Sequence, residues 1–276
     1  MNKNSLRSRY EELKSKIHSH NYRYHVLDAP VVSDAEYDKL LNELKKIEAD
    51  HPDWITPDSP SQRAGARPAD RFVKVRHPAP ILSLANAFGA DDARAWYERV
   101  RKLDDRVGSA KFVVEPKIDG LSVVLHYRDG VFVQGATRGD GEVGEDITAN
   151  LRTLNVIPLK IPVASKQSAA VSVPKYLVVR GEAFIPVEEF EKLNKKLEEA
   201  GEKTYLNPRN TAAGSLRQLD PALTASRPLT LLVYQIIHSE NGKIPASQWE
   251  LLEYLKVLGF PVTDVAKRFN DLDSAL

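Results

Sequence analysis

Apolar and aromatic side chains recur at helical spacing near the beginning of the chain. Leu6, Tyr10, Leu13 and Ile17 are three or four positions apart, so they lie on one face of a helix. This spacing predicts an amphipathic helix over residues 5–27. A helix with one apolar face needs a second element to cover it.

A second helix is predicted after a break at Asp28-Ala29-Pro30. The residues Ser33-Asp34-Ala35-Glu36 form an S-x-x-E capping box, which is typical of a helix start. Apolar residues then continue at helical spacing from Tyr37 to Ile47, so we expect the helix to end at about Ala49. Together the two segments predict a helical hairpin.

Prolines are frequent between His51 and Pro80, which predicts a connecting segment with a domain boundary near residue 70. Beyond it, two apolar runs flank Asp129-Gly130, a strong signal for a β-hairpin. The strands predicted here and further along cover residues 121–127, 131–137, 176–182 and 229–237, and helices are predicted at 90–103, at 187–200 before Gly201, and at 249–258 before Gly259. These elements mix without a βαβ rhythm, so we predict an α+β fold rather than a doubly wound sheet.

Composition narrows the classes of protein that fit the pattern. The net charge of the 276-residue chain is +1, which argues against a strongly basic nucleic-acid-binding module. The chain has no cysteine, which excludes a disulfide framework, a thiol nucleophile and a cysteine zinc site. We find neither a secretion signal nor a run of eighteen apolar residues, so we predict a cytoplasmic protein without a membrane span.

One lysine stands inside an apolar, β-branched run that predicts a strand over residues 112–125. In a strand, Glu115, Lys117 and Asp119 project from the same face. Such a lysine either stays charged beside a partner or has a lowered pKa and acts as a nucleophile. For an isolated K-x-D-G sequence, the commoner outcome is a solvated lysine between two solvated carboxylates.

Further polar residues accompany the predicted strands. Arg138 stands in a glycine-rich loop over residues 136–146, where backbone can approach a ligand closely. Glu182 lies in a predicted strand, and Arg209 and Arg217 flank a predicted turn of small residues. Each has an ordinary alternative, such as a plain turn or a solvated ion pair. Tyr234, in an apolar strand, either stacks on a purine or fills the core.

Aromatic and polar residues are also predicted to meet at one end of the helical hairpin. Tyr24 and His25 end the first helix, whereas Asp34, Tyr37 and Asp38 begin the second. A histidine with two aspartates suggests a metal site, but a fourth ligand at sensible spacing is missing. We therefore predict no metal there and expect recognition of a small ligand by stacking and hydrogen bonds.

Taken together, these motifs resemble the bacterial NAD-dependent DNA ligases. The resemblance rests on Glu115-Pro116-Lys117-Ile118-Asp119-Gly120, on the Ala-Thr-Arg-Gly-Asp-Gly loop, on Val-Arg-Gly-Glu, on the Asn-Pro-Arg-Asn segment, and on Tyr-His-Val-Leu-Asp-Ala-Pro followed by Ser-Asp-Ala-Glu-Tyr-Asp. It extends in register from about residue 5 to the end of the chain. It implies a helical NMN-binding domain at 1–70, then an antiparallel-sheet, ATP-grasp-like adenylation domain at 71–276.

The resemblance also implies a role for each candidate residue. Lys117 would attack the α-phosphorus of NAD, release nicotinamide mononucleotide (NMN) and hold AMP as a phosphoramide, with Asp119 orienting it. The other implied roles are adenine contact for Ser83, Leu84, Glu115 and Tyr234, ribose contact for Arg138 and Glu182, phosphate and nick handling for Arg209 and Arg217, and binding of NMN for Tyr24, His25, Asp34, Tyr37 and Asp38. Glu182 would also help to place a metal.

Two carboxylates beside Lys117 favour its charged form, whereas attack needs the neutral amine. Mg²⁺ and a second lysine would offset them, but the two further strand lysines of the family do not appear before Leu276. We therefore expect a truncated adenylation domain, monomeric, with weak or absent self-adenylation and no nick sealing. Nicked double-stranded DNA would be bound mainly by domains that the chain lacks.

Three other interpretations stay open at this point. An ATP-using RNA ligase or capping-type nucleotidyltransferase shares K-x-D-G, but it should lack the cluster between Tyr24 and Asp38. A non-catalytic NAD-binding or scaffolding fragment fits the missing lysines. A pyridoxal-phosphate enzyme with a lysine Schiff base is disfavoured, because no phosphate-cradling loop begins a helix here.

Overall fold

The computed structural model describes residues 3–63, 69–163 and 171–276. The α-helices are α1 (Lys3–His25), α2 (Asp34–Asp50), α3 (Ala90–Leu103), α4 (Thr148–Arg152), α5 (Val187–Glu199), α6 (Pro208–Leu216), α7 (Pro221–Ala225), α8 (Gln248–Leu258) and α9 (Leu272–Ala275). The strands are β1 (Lys74–Arg76), β2 (Phe112–Val114), β3 (Leu121–Arg128), β4 (Val131–Thr137), β5 (Val143–Glu145), β6 (Tyr176–Phe184), β7 (Thr230–Glu240) and β8 (Lys267–Phe269). No helix among the described residues is long and apolar enough to cross a membrane.

The predicted helical hairpin is present. Tyr10, Leu13 and Ile17 of α1 are fully buried and pack with Leu44 of α2 and with Trp54. The capping box is complete, because each of its two side chains accepts a hydrogen bond from the backbone of the other residue. The capping box places the start of α2 as the sequence predicts, whereas α1 begins and ends two residues earlier than predicted.

A four-stranded antiparallel sheet in the order β4-β3-β6-β7 forms the second part of the chain. The β3–β4 hairpin turns at Asp129 and Gly130, whose φ angles of 47° and 78° are the left-handed values that a tight Asp-Gly turn requires. Two smaller antiparallel sheets pair β1 with β5 and β2 with β8. The predicted α+β class, with helices and antiparallel strands, is confirmed.

The two faces of the sheet differ in chemistry. Val123, Leu125 and Tyr127 of β3 are fully buried in the main core, which also includes apolar residues of α4, α6 and α8. The alternate residues of β3 project from the opposite face. There, Val124 joins a smaller apolar cluster. Ser122 on this face lines a cavity, so the site lies where the sheet is not covered by the main core.

The continuous strand predicted over residues 112–125 is wrong. β2 ends at Val114 and β3 begins at Leu121, and the six residues between them pair with no strand. Pro116 has no N–H to donate to a sheet. Gly120 approaches Ala183 so closely that an added Cβ would lie 2.1 Å from the carbonyl oxygen. The same-face argument for Glu115, Lys117 and Asp119 therefore fails, since it required a strand.

The predicted small-residue turn between Arg209 and Arg217 is also wrong, because this segment is helix α6. Asn207 caps the helix by accepting a hydrogen bond from the Asn210 N–H at 2.8 Å, and Pro208 occupies the first turn. Asn followed by Pro is a known helix-start signal. The sequence therefore contained the information that this helix begins at residue 208.

Arg63 connects the hairpin region to the sheet region. Its guanidinium donates to the carbonyl oxygens of Arg152, Leu154 and Ile157 at 3.3, 3.0 and 2.8 Å. Burial lowers the pKa of Arg63 to about 10. Residues 64–68, which include part of the predicted connecting segment, lie outside the described residues. The predicted boundary near residue 70 stays a prediction.

Candidate active site

A cleft of about 1010 Å³, named cavity 1, lies where the sheet is not covered by the main core. Its walls come from the segment between β2 and β3, the glycine-rich loop, β6, β7 and α6. The predicted residues that line it are Ser83, Leu84, Glu115, Lys117, Arg138, Glu182, Arg209, Arg217 and Tyr234. Ser83 and Tyr234, which are 151 positions apart in the sequence, therefore line the same cleft.

Lys117 is exposed and lines cavity 1, rather than projecting from a buried strand. The two carboxylates predicted to hold it have other partners. Glu115 accepts a hydrogen bond from Gln248 at 2.8 Å, and Asp119 accepts one from Arg209 at 2.7 Å. Each of the two carboxylates therefore has a hydrogen-bond partner other than Lys117.

Glu182 of β6 faces the lysine segment. Burial raises the pKa of the Glu182 carboxyl, whereas the Gly120 N–H and the Lys117 charge act in the opposite direction. The Gly120 N–H donates to Oε1 at 3.3 Å, and the Tyr234 hydroxyl donates to Oε2 at 3.4 Å. Glu182 therefore links the segment that carries Lys117 to strands β6 and β7.

Tyr234 of β7 presents an aromatic ring to cavity 1. Burial raises the pKa of its hydroxyl. The guanidinium carbon of Arg180 lies 5.5 Å from the centre of the ring, within the range of a cation–π contact. Arg180 also donates to the Leu82 carbonyl at 2.9 Å, which holds the chain just before Ser83. Sequence reasoning missed Arg180, although a charged residue in an apolar strand was a usable signal.

The glycine-rich loop forms another wall. Gly139 and Gly141 have φ angles of 58° and 102°, in the left-handed region that favours glycine. The Asp140 carboxylate accepts hydrogen bonds from the N–H groups of Val143 and Glu142 at 2.8 and 2.9 Å, and these bonds lower its pKa. The turn is thus fixed by its own backbone, with Arg138 at its first position lining the cavity.

Cavity 1 collects more cationic than anionic side chains. The basic residues that line it are Lys74, Lys117, Arg138, Arg180, Arg209 and Arg217, against the acidic residues Glu115, Asp140, Glu145 and Glu182. Arg217 pairs with Glu145 at 2.8 Å, and this contact lowers the pKa of the Glu145 carboxyl. A cleft with this excess of positive charge suits a phosphate-bearing ligand.

A second, smaller cavity of about 190 Å³, named cavity 2, lies at the tip of the helical hairpin. Tyr24, His25, Asp34 and Tyr37 line it as predicted, whereas Asp38 is exposed and does not. Three polar residues that sequence reasoning missed also line the cavity: His20, Asn21 and Asn155.

The polar groups of cavity 2 are partly paired with one another. The Tyr37 hydroxyl donates to Asn21 Oδ1 at 2.8 Å, and the rings of Tyr24 and His25 contact edge to face. Burial, with a smaller contribution from the charge of Arg63, lowers the pKa of His25. Among residues 3–63, 69–163 and 171–276, no group of three or more histidine or acidic side chains is placed to hold a metal ion.

Comparison with known proteins assigns the chain to a family. The model for the NAD-dependent DNA ligase adenylation domain matches residues 69–276, and the model for the DNA ligase-like, N-terminal NAD⁺-binding domain matches residues 3–65. The chain therefore belongs to the NAD-dependent DNA ligase family.

Curated relatives agree with this assignment. The chain is 52% identical over 280 residues to the DNA ligase of Roseiflexus castenholzii and 51% identical over 279 residues to that of Chloroflexus aggregans, in each case along its whole length. It is also 51% identical over 255 residues, or 92% of its length, to the DNA ligase of Myxococcus xanthus. The chain spans only 39, 41 and 37% of these three relatives.

Proposed function

We propose that Lys117 accepts the adenylyl group of NAD in cavity 1. The lone pair of Nζ forms a bond to the α-phosphorus, the bond from that phosphorus to the bridging oxygen breaks, and NMN leaves with the electron pair while Nζ gives up a proton. The observation that carries the proposal is that Lys117, Glu182, Arg138 and Tyr234 line one cavity whose basic residues suit a phosphate. In the full-length protein, AMP would then pass to the 5′-phosphate of a DNA nick before a phosphodiester bond forms.

The remaining roles follow from position in cavity 1. Tyr234 is half buried and lines the cavity, so it suits stacking on adenine, with Glu115, Ser83 and Leu84 as further contacts. Arg138 and Glu182 suit the ribose hydroxyls, and Arg209 and Arg217 suit phosphate oxygens. Asp119 acts through Arg209, since its carboxylate is bonded to that guanidinium.

We assign the departing NMN to cavity 2, with Tyr24, His25, Asp34 and Tyr37 as contacts, and Asp38 as a further candidate from the rim of the hairpin. Aromatic rings, an imidazole and a carboxylate suit a flat heteroaromatic ring bearing a ribose. An ATP-using ligase has no need for such a second site, which favours NAD as the adenylate donor. The N-terminal family model, described as NAD⁺-binding, supports the same choice.

Mg²⁺ is the cation that the family resemblance implies. It prefers carboxylate oxygens and commonly retains water and substrate phosphates as ligands, so a dedicated group of three side chains is not required. Glu182 fits this demand, because its half-buried carboxylate lines cavity 1 and a cation there would offset the burial that raises its pKa. When bound, Mg²⁺ would neutralise phosphate charge.

The wider organisation is also proposed. We assign a helical domain to residues 1–70 and an ATP-grasp-like adenylation domain to residues 71–276, which the ranges of the two family models support. Nicked DNA as partner, a monomeric state and a cytoplasmic location stay predictions. So do weak or absent self-adenylation by these 276 residues and the rival of a non-catalytic NAD-binding fragment.

The test is adenylation of the full-length protein with NAD labelled in its adenylate. With Mg²⁺, we expect one label per protein, located on Lys117 by peptide mass spectrometry and absent in Lys117→Arg. Lys111→Arg is the matched control, since Lys111 is exposed and does not line cavity 1. Equal labelling of Lys117→Arg would overturn the proposal, as would labelling by ATP but not by NAD. NAD binding without any label would favour the non-catalytic rival.

A further inference from the structure

The strand pair β1–β5 continues into a second set of contacts that hold the glycine-rich loop. The backbone N–H of His77 donates to Glu142 O at 2.9 Å, and that of Ile81 donates to Gly141 O at 2.9 Å. In return, Nε of Arg138 donates to Ile81 O at 3.2 Å. The segment from His77 to Ile81 is therefore hydrogen-bonded at both of its ends to the loop that carries Arg138.

The His77 side chain adds a contact that the backbone cannot supply. The ring is buried, and its Nε2 lies 3.1 Å from the carbonyl oxygen of Arg138. Because a carbonyl oxygen only accepts, Nε2 must carry the proton. The same oxygen also accepts from Gly141 N–H at 3.1 Å, within the turn itself. The Arg138 N–H donates to Ser122 O of β3 at 3.0 Å, so the His77 bond adds a tie from a different segment to the Arg138 carbonyl rather than to its N–H.

The surroundings of His77 leave its ring little freedom. A Cβ added at Gly144 would lie 3.2 Å from Nε2, so the ring packs against the glycine backbone of β5. Nδ1 is buried without a hydrogen-bond partner among the described residues. Burying the imidazole with Nδ1 unpaired costs free energy, because that nitrogen loses its hydrogen bond to water. The hydrogen bond of Nε2 must offset this cost.

His77 does not line cavity 1, whereas Arg138 does. We propose that His77 is a positioning residue, which fixes the Arg138 backbone through its Nε2–H bond and thereby holds the Arg138 guanidinium at the place where the nucleotide ribose binds. This inference rests on the proposed function, because it takes cavity 1 as the adenylate site. It assigns a role to a histidine outside the predicted site.

The test is AMP binding to this chain, measured by titration calorimetry. Loss of one hydrogen bond of this kind costs about 1 kcal/mol, so we expect His77→Leu to bind AMP about fivefold more weakly. His77→Gln should recover binding to within about twofold, since its amide nitrogen can occupy the position of Nε2. His238→Leu is the control, because His238 is a histidine of β7 that does not line cavity 1.

A double-mutant cycle separates positioning from a general structural effect. If His77 acts through Arg138, His77→Leu should weaken AMP binding no further in an Arg138→Ala background. The role of His77 would be overturned if the losses of AMP affinity in the two single variants multiplied in the double variant. It would also be overturned if His77→Leu bound AMP as tightly as the parent chain. AMP binding by neither the parent chain nor the full-length protein would instead overturn the proposed function and this inference with it. His77→Gln keeps the test decisive if His77→Leu fails to fold.

Discussion

Nη1 of Arg209 donates to Oδ1 of Asp119 at 2.7 Å, which joins helix α6 to the segment that carries Lys117. More than half of each side chain is exposed, at 57 and 61%. Exposed ion pairs contribute little to stability because water screens them. The pair therefore matters for the arrangement of the site rather than for the fold.

Arg209→Ala should consequently lower the free energy of unfolding by less than about 1 kcal/mol. In the full-length protein it should nevertheless slow adenylate formation, because both Asp119 and the phosphate lose a partner. Urea unfolding of this chain and single-turnover labelling of the full-length protein measure the two effects. Arg99→Ala, on exposed helix α3, is the stability control. A loss of stability well above this bound would contradict the prediction.

Glu182→Gln should change how stability depends on pH. Burial raises the pKa of Glu182 above its ordinary value of 4.5, so the folded state binds the proton more tightly than the unfolded state. The ionised carboxylate therefore costs stability, and this cost appears as pH rises through the interval above 4.5. The free energy of unfolding of Glu182→Gln should therefore increase relative to that of the parent chain as the pH rises from about 4 to about 7.

Urea unfolding at a series of pH values measures this difference. Glu191→Gln on helix α5 is a suitable control, because Glu191 is exposed and does not line cavity 1. A difference between Glu182→Gln and the parent chain that stays constant with pH, or decreases as pH rises, would show that Glu182 is not destabilised by its burial.

Gly120→Ala should destabilise the chain and disturb the lysine segment. The added Cβ would lie 2.1 Å from the Ala183 carbonyl oxygen, a backbone atom of β6 that cannot rotate away. Overpacking of this kind costs about 1–3 kcal/mol. We expect a lower midpoint of urea unfolding together with weaker AMP binding. Gly214→Ala is the control, since an added Cβ there meets nothing within 4 Å, and equal effects of the two substitutions would contradict the steric explanation.

Arg63→Met should weaken the contact between the hairpin and the sheet. The substitution keeps an apolar stem but removes the Arg63 donors to the carbonyl oxygens of residues 152, 154 and 157. The carbonyl oxygen of Leu154 keeps the Ile157 N–H as a second donor at 3.1 Å, whereas those of residues 152 and 157 lose their Arg63 partner. Leaving buried acceptors unpaired costs about 1–3 kcal/mol each, so we expect a total loss of about 2–4 kcal/mol after partial relaxation. Arg63→Lys should restore only part of it, because an ammonium group lacks the planar fork.

Amide hydrogen exchange shows where Arg63→Met destabilises the chain. We expect the largest loss of protection just after α4, at the amides of Thr153 and Leu154. Arg99→Met, on an exposed helical face, is the control for loss of a guanidinium. Stability equal to that of the parent chain would mean that the three carbonyl groups find other donors when Arg63 is removed.

Much of the fold was predictable because its signals are local. The capping box of α2, the Asp-Gly hairpin and the left-handed Gly259 at the end of α8 each depend on residues within a few positions of one another. Local backbone preferences and hydrophobic spacing are sufficient to specify such features. The same reasoning failed between Val114 and Leu121, where a β-branched run suggests a strand but Pro116 and the close approach of Gly120 to β6 prevent one.

Most of the candidate site residues that the motifs indicated line the two cavities, but the hydrogen bonds that these residues make could not be predicted. Glu115 bonds to Gln248, which is 133 residues away, and neither residue carries a signal for the other. Asn155 reaches cavity 2 from beyond the helical hairpin, so no pattern within the hairpin indicates it. Such contacts depend on how packed elements meet, which hydrophobic periodicity does not encode.

The gap between β2 and β3 has a mechanical consequence. Residues 115–119 form no backbone hydrogen bond with a strand in the described part of the chain, and Gly120 is held by the Glu182 side chain instead. Displacing this stretch breaks no rung of any β-ladder. A group attached to Lys117 can therefore move together with residues 115–119 while the hydrogen bonds between the strands of the sheet stay intact.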